Sequence, residues 1–128
     1  MDRPRPLVAV VDDEASVRKA LRRLLAASDL DCALFASGRD FLDSLEGRCP
    51  DCVLLDLHMP GLTGLEVQRE LSRGGMRVPA IIITGHDEPA NRAQCLSAGA
   101  VAYVRKPLDD KLVLGLIASA IEGNGPAA

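Results

Sequence analysis

The chain is poor in aromatic residues: no tryptophan, one tyrosine and two phenylalanines among 128 residues. A core must therefore be built from Leu, Val, Ile and Ala, and a hydrophobic content of 48% supplies the material. Excess basic charge is also missing, since fifteen Lys and Arg stand against eighteen Asp and Glu for a net charge of -3. Duplex binding needs a basic stripe, so direct nucleic-acid binding by this chain is not expected. Long apolar runs are absent too. The N-terminal run Leu7–Val11 stops at Asp12 and Asp13, too soon for a signal peptide or a membrane span. A cytoplasmic protein without membrane association is the expectation. Neither G-x-x-x-x-G-K-[ST] nor G-x-G-x-x-G occurs, which removes support for a P-loop or dinucleotide fold. The cysteines Cys32, Cys49, Cys52 and Cys95 read, in a reducing compartment, as small buried hydrophobes. Cys49-Pro50-Asp51-Cys52 has redox or zinc-ligand spacing. No second Cys or His pair completes a four-ligand zinc site, however, and Cys52 stands at the entrance to a strand.

What is present is a set of short apolar runs that each stop at a residue useful to phosphate chemistry. Leu7–Val11 stops at Asp12 and Asp13, Val53–Leu55 at Asp56, and Ile81–Ile83 at Thr84, while Val101–Val104 leads through Arg105 to Lys106 and Pro107. Between the runs lie helical patterns. The expected order is a strand at Leu7–Val11, a helix at Ser16–Ala27, a strand at Cys32–Phe35 and a helix from the N-cap Ser37 to about Leu45. There follow a strand at Val53–Asp56, a helix at Gly64–Ser72 that stops at Gly74-Gly75, and a strand at Val78–Thr84. The last elements are a helix at Pro89–Ala98 closed by Gly99, a strand at Ala102–Arg105 and a helix at Leu108–Glu122. Residues 1–122 make one domain, and the Gly- and Pro-containing tail 123–128 is expected to be disordered.

Five alternating strands and helices predict an α/β, doubly wound parallel sheet of flavodoxin-like (βα)5 type, strand order 2-1-3-4-5. Its switch point lies between strands 1 and 3, which end in Asp12-Asp13 and Asp56. Ligands sit in the crevice at the carboxyl ends of such strands. Three carboxylates, a hydroxyl and an ammonium would then converge on a site suited to a divalent metal and a phosphoryl group. Two carboxylates at about 4 Å repel by about 4 kcal/mol at an effective dielectric near 20, so three in one cleft call for a cation.

Val11-Asp12-Asp13-Glu14, Leu55-Asp56-Leu57-His58-Met59-Pro60-Gly61 with Gly64, Ile83-Thr84-Gly85, Gly99-Ala100 and Tyr103-Val104-Arg105-Lys106-Pro107 follow one another in order. Together they resemble the receiver domain of two-component response regulators over nearly the whole chain. Val11–Arg18 and Asp56–Glu66 look most like receivers from regulators with a helix-turn-helix output, such as those of nitrogen-fixation control. The resemblance implies that Asp56 takes a phosphoryl group from the phosphohistidine of a sensor histidine kinase. It also implies that Mg²⁺ is bound by Asp13 directly, by Asp12 through water, by Asp56 and by the backbone carbonyl of His58. Lys106 would pair with Asp56 in the empty site and with a phosphoryl oxygen in the loaded one, aimed inward by a cis peptide before Pro107. Thr84 would donate its hydroxyl to the phosphoryl group, and Tyr103 would turn inward in response. His58 and His86 match positions that tune hydrolysis of the phosphoryl group. Because an unperturbed imidazole changes charge near neutral pH, a pH-sensitive phosphoryl lifetime is expected.

The resemblance places the readout on the fourth helix, fifth strand and fifth helix. On the fifth helix, Leu112, Leu116 and Ala120 with Val113 form one apolar stripe, expected to face the sheet. Leu114, Ile117, Ala118 and Ile121 form a second stripe, expected at a partner or homodimer contact unless neighbouring helices cover it. Two rivals remain beside this reading. A haloacid-dehalogenase-type phosphatase needs a second Asp two residues after its nucleophile, where this chain has His58, and usually a nucleophile on its first strand. A receiver-fold interaction module that does not turn over phosphate would tend to lose one of the site residues. Whether the chain is a single-domain receiver or the receiver part of a longer regulator stays open at this level.

Overall fold

The structure is a computed structural model that describes residues 5–86 and 88–123. Its elements are β1 (Leu7–Val11), α1 (Ala15–Ala27), β2 (Asp31–Phe35), α2 (Gly38–Ser44), β3 (Cys52–Asp56), α3 (Gly64–Arg73), β4 (Ala80–Thr84), α4 (Pro89–Ser97), β5 (Ala102–Arg105) and α5 (Asp110–Gly123). The sheet is parallel throughout, in the order β2-β1-β3-β4-β5. This is the expected flavodoxin-like arrangement. Boundaries differ by a residue or two; β4 starts at Ala80 rather than Val78, and α5 at Asp110 rather than Leu108. Pro79 has no N–H to give a ladder, although its carbonyl accepts the Val53 N–H at 3.0 Å. Of the tail expected at 123–128, Gly123 is the last residue of α5, and 124–128 lie outside the described residues.

Side chains alternate across a strand, so each strand feeds two cores. Ala9, Val11, Val53, Leu55, Ile82 and Tyr103 pack with Phe41 of α2, Val67 and Leu71 of α3, and Cys95 of α4. Val8, Val10, Leu54, Ile81, Ile83 and Val104 pack with Leu21 and Leu25 of α1 and Val113, Ile117 and Ala120 of α5. β3 and β4 are buried along their whole length, which is why they read as unbroken apolar runs.

α5 departs from the expected phase. Val113, Ile117 and Ala120 face the sheet, whereas Leu112 is 50% exposed. Ile117 thus belongs to the sheet-facing stripe, and Ile121, with Leu116, packs partly buried beside it. Asp109 Oδ1 accepts the N–H groups of Lys111 and Leu112, so Leu112 sits in the opening turn, on the solvent side. A helix apolar on more than one face offers several phases to the sheet, and periodicity alone does not choose between them.

α3 is held at its start by a capping box between Thr63 and Glu66. It begins with Gly64 because a Cβ there would lie 2.5 Å from the Asp56 carbonyl oxygen and 3.0 Å from Leu57 Cα. That approach packs the helix start directly against the end of β3. Gly64→Ala is expected to lower stability by about 1–3 kcal/mol through overpacking against backbone. Gly115, in α5 with nothing within 4 Å of an added Cβ, is the opposite case, and Gly115→Ala is expected to raise stability by about 0.4–1 kcal/mol. Urea midpoints at constant m-value measure both; a neutral Gly64→Ala would contradict the packing account.

Candidate functional site

The acidic site is assembled by strand ends. β1 and β3 are neighbours, with Val11 opposite Leu55, so Asp12 and Asp13 follow β1 beside Asp56, the last residue of β3. Asp12 and Asp56 are buried, Asp13 is exposed, and one carboxylate oxygen from each lies within 4.8 Å of the others. β4 is next in order and ends at Thr84, which is opposite Arg105 of β5. Lys106 follows through a backbone N–H bond to the Thr84 carbonyl at 2.8 Å, and the Lys106–Pro107 peptide is cis.

Lys106 Nζ lies 2.9 Å from Asp12 Oδ2, 3.3 Å from Glu14 Oε1 and 3.8 Å from Asp56 Oδ1. The lysine therefore spans the cluster: it makes the ion pair with Asp56 that the resemblance implied and a closer one with Asp12. Glu14 is the residue that sequence reasoning passed over. Its position beside the aspartate pair was the available signal. Asp12 Oδ2 is buried and faces the Lys106 ammonium. The rest of Asp12 is engaged in structure: Oδ1 accepts the Glu14 N–H at 2.9 Å and its backbone carbonyl accepts Arg18 Nη1 at 2.7 Å. Asp12 thus both shapes the turn into α1 and serves the cluster.

Burial, and then the neighbouring charge of Asp12, raise the Asp56 carboxyl to about 7, with its contact to Asp13 adding to the rise. Lys106 and the His58 N–H, 3.4 Å from Asp56 Oδ1, act the other way and do not cancel it. For Lys106, burial favours the neutral amine, but the close Asp12 carboxylate and the charges of Asp56 and Asp12 outweigh it and raise the ammonium above its ordinary value. The three carboxylates make an all-oxygen donor set, the choice of a hard cation such as Mg²⁺. Their clustering, with one oxygen from each within 4.8 Å of the others, fits such an ion.

Thr84 is fully buried, and its hydroxyl is engaged with the β4–α4 loop. It donates to the His86 carbonyl at 3.1 Å and accepts the His86 N–H at 3.0 Å. Tyr103 lies in the core beneath α4, with the Arg92 guanidinium 5.8 Å from its ring centroid. His58 and His86 are exposed, and their rings meet edge to face at 5.5 Å. Nothing in the sequence signalled that mutual contact. All four cysteines are free thiols. Burial pushes Cys52 up to about 12, so at neutral pH it is a protonated, inert thiol. No described helix is long and apolar enough to cross a membrane.

The family model for the response regulator receiver domain matches residues 8–118. Among curated relatives, Nodulation protein W of Bradyrhizobium diazoefficiens is 35% identical over 116 residues, covering 91% of this chain and 51% of that protein. Transcriptional regulatory protein FixJ of the same organism is 35% identical over 121 residues, covering 94% of this chain and 59% of that protein. The chain thus spans only about half the length of these relatives. Among solved structures, a response regulator receiver protein from Burkholderia phymatum has a TM-score of 0.83 at 44% identity, covering 96% of this chain and 100% of that one.

The raised Asp56 value has a consequence for stability. An unfolded Asp titrates near 3.9 and Asp56 in the folded chain near 7. Between these values the native state holds a proton that the unfolded state has released. The stabilisation is full below about pH 4 and is lost as pH rises to about 7, with an upper limit of about 4 kcal/mol. Asp56→Asn cannot ionise, so relative to the parent it gains stability from pH 5 to 8, and Mg²⁺ restores the parent at pH 8. Parallel pH profiles for parent and variant in urea unfolding would contradict this.

Proposed function

This chain belongs to the response regulator receiver domain family, and we propose that Asp56 is its phosphoacceptor, charged by a sensor histidine kinase in the cytoplasm. The Asp12, Asp13 and Asp56 cluster spanned by Lys106 carries the proposal. The ionised Asp56 carboxylate attacks the phosphorus of a phosphohistidine. The P–N bond breaks, the histidine nitrogen leaves with its electron pair, and an aspartyl phosphate forms. Asp12, Asp13, Asp56 and the His58 carbonyl would hold Mg²⁺, which on binding offsets the charge of the carboxylates and of the transferring phosphoryl oxygens. Lys106 favours the ionised, nucleophilic form of Asp56 and then pairs with a phosphoryl oxygen. Positioning and charge neutralisation account for most of the catalysis in this reaction class.

The Thr84 hydroxyl donates to the His86 carbonyl in the structure. In the loaded site it donates to a phosphoryl oxygen instead, which releases the β4–α4 loop. Tyr103 and the face made by α4, β5 and α5 respond, and that face binds a partner or a second copy of the chain. The exposed Leu96 and Leu112 of α4 and α5 support this choice of surface. Named transcriptional regulators among the relatives support an output in transcription, reached through residues 1–122 as the receiver domain. The paired His58 and His86 rings set the lifetime of the phosphoryl group.

Intact mass after incubation with acetyl phosphate and Mg²⁺ tests the proposal. The parent gains one phosphoryl group; Asp56→Asn and an EDTA-treated sample do not. Decay of that mass after donor removal is altered in a His58→Ala, His86→Ala double variant. Absence of the gain under all conditions, phosphohistidine donor included, would favour an interaction module that does not turn over phosphate.

A further inference from the structure

α4 is thinly anchored. Cys95 is its buried residue, Leu96 is 42% exposed, the N-cap Glu88 makes no side-chain capping hydrogen bond, and the last turn carries no basic residue. By comparison α3 buries Gly64, Val67, Gln68 and Leu71 and has a full capping box. Arg92 stands three residues before Cys95, hence on the same side of α4, and lays its guanidinium over Tyr103 with 5.8 Å from Cζ to the ring centroid. That distance lies within the range of a cation–π contact. The contact joins two other attachments of α4, the buried Cys95 side chain and the hydrogen bond that Gln68 Nε2 donates to the Cys95 carbonyl at 3.5 Å.

The geometry points to Arg92 as a positioning residue: it clasps α4 onto the Tyr103 ring and holds that ring inward before any phosphoryl group arrives. The ring is in the core, 9% exposed. The Thr84 hydroxyl, through both of its bonds to His86, holds the segment that leads into α4. Thr84, the loop, α4, Arg92 and Tyr103 thus form a closed circuit, since Tyr103 returns to β4 opposite Ile82. Loosening the clasp frees the ring to leave the core and raises the cost of the inward state. The link to phosphorylation rests on the proposed function above; the clasp itself does not.

The composition supplies the probe. Tyr103 is the single tyrosine in a chain without tryptophan, so tyrosine emission reports on this ring alone. Acrylamide quenching of the full chain is compared for parent, Arg92→Gln, Arg92→Lys and the exposed α1 control Arg23→Gln. A lost cation–π contact shifts the ring's open population by about two- to fivefold. Arg92→Gln is therefore expected to be quenched at least about twofold more strongly, Arg92→Lys to keep most of the protection and Arg23→Gln to match the parent. Far-UV circular dichroism confirms that each variant is folded. Labelling of Asp56 by acetyl phosphate is expected to slow by about two- to fivefold in Arg92→Gln, because the inward ring is no longer preset. Parent-like quenching in folded Arg92→Gln would overturn the clasp. Stronger quenching with a parent-like labelling rate would overturn its coupling to the site. A parent that takes no label at all would count against Asp56 as acceptor and leave the quenching comparison standing.

Discussion

The structure turns on the mutual repulsion of Asp12, Asp13 and Asp56. One oxygen of each lies within 4.8 Å of the others, two of the three side chains are buried, and a single ammonium at 2.9 Å from Asp12 and 3.8 Å from Asp56 is what the fold supplies against them. Burial first, and then the charge of Asp12, raise Asp56 to about 7, and Lys106 does not cancel them. A site with surplus negative charge on buried carboxylates is unfavourable alone and favourable with a cation. The same imbalance bears on the proposed phosphotransfer: whatever offsets the charge also favours the ionised Asp56 carboxylate that the proposal requires.

The surrounding fold keeps those charges from moving apart. β1 and β3 are hydrogen-bonded neighbours whose side chains are locked into two cores, so their carboxyl ends stay in register. α3 closes behind Asp56 so tightly that only glycine fits at position 64. Across the sheet, the attachment grows lighter toward the side that is expected to signal. α3 has its capping box and four buried residues, while α4 has Cys95 and the clasp of Arg92 on Tyr103. Rigid placement of the acidic residues beside loose attachment of the output helix suits a device that converts a local change of charge into movement of one face.

Much of this was legible in the residues. Unbroken apolar runs ending in Asp, Thr and Lys marked both the parallel sheet and its functional edge, because a buried central strand needs apolar residues on both faces and exposes chemistry only where it ends. Ser37 announced its own helix through the N-cap preference. The pattern Thr63-x-x-Glu66 carried the capping box in the same way, though it was not used. What stayed hidden depends on distance in space. Lys106 sits nearer Asp12 than Asp56, a difference of side-chain placement that no sequence spacing encodes. His58 meets His86, and Arg92 meets Tyr103, across loops with no common periodicity. The phase of α5 escaped for another reason. Its apolar residues fill more than one face, and only packing against the sheet decides that Ile117 goes inward and Leu112 outward.

The most direct test of the central claim is a carbon-13 NMR titration of the Asp56 carboxyl, assigned by its loss in Asp56→Asn, with and without Mg²⁺. The account predicts a midpoint near 7 without the cation and a fall into the acid range once Mg²⁺ is bound. A midpoint near the ordinary value of 3.8 without Mg²⁺, or one that Mg²⁺ leaves in place, would contradict it.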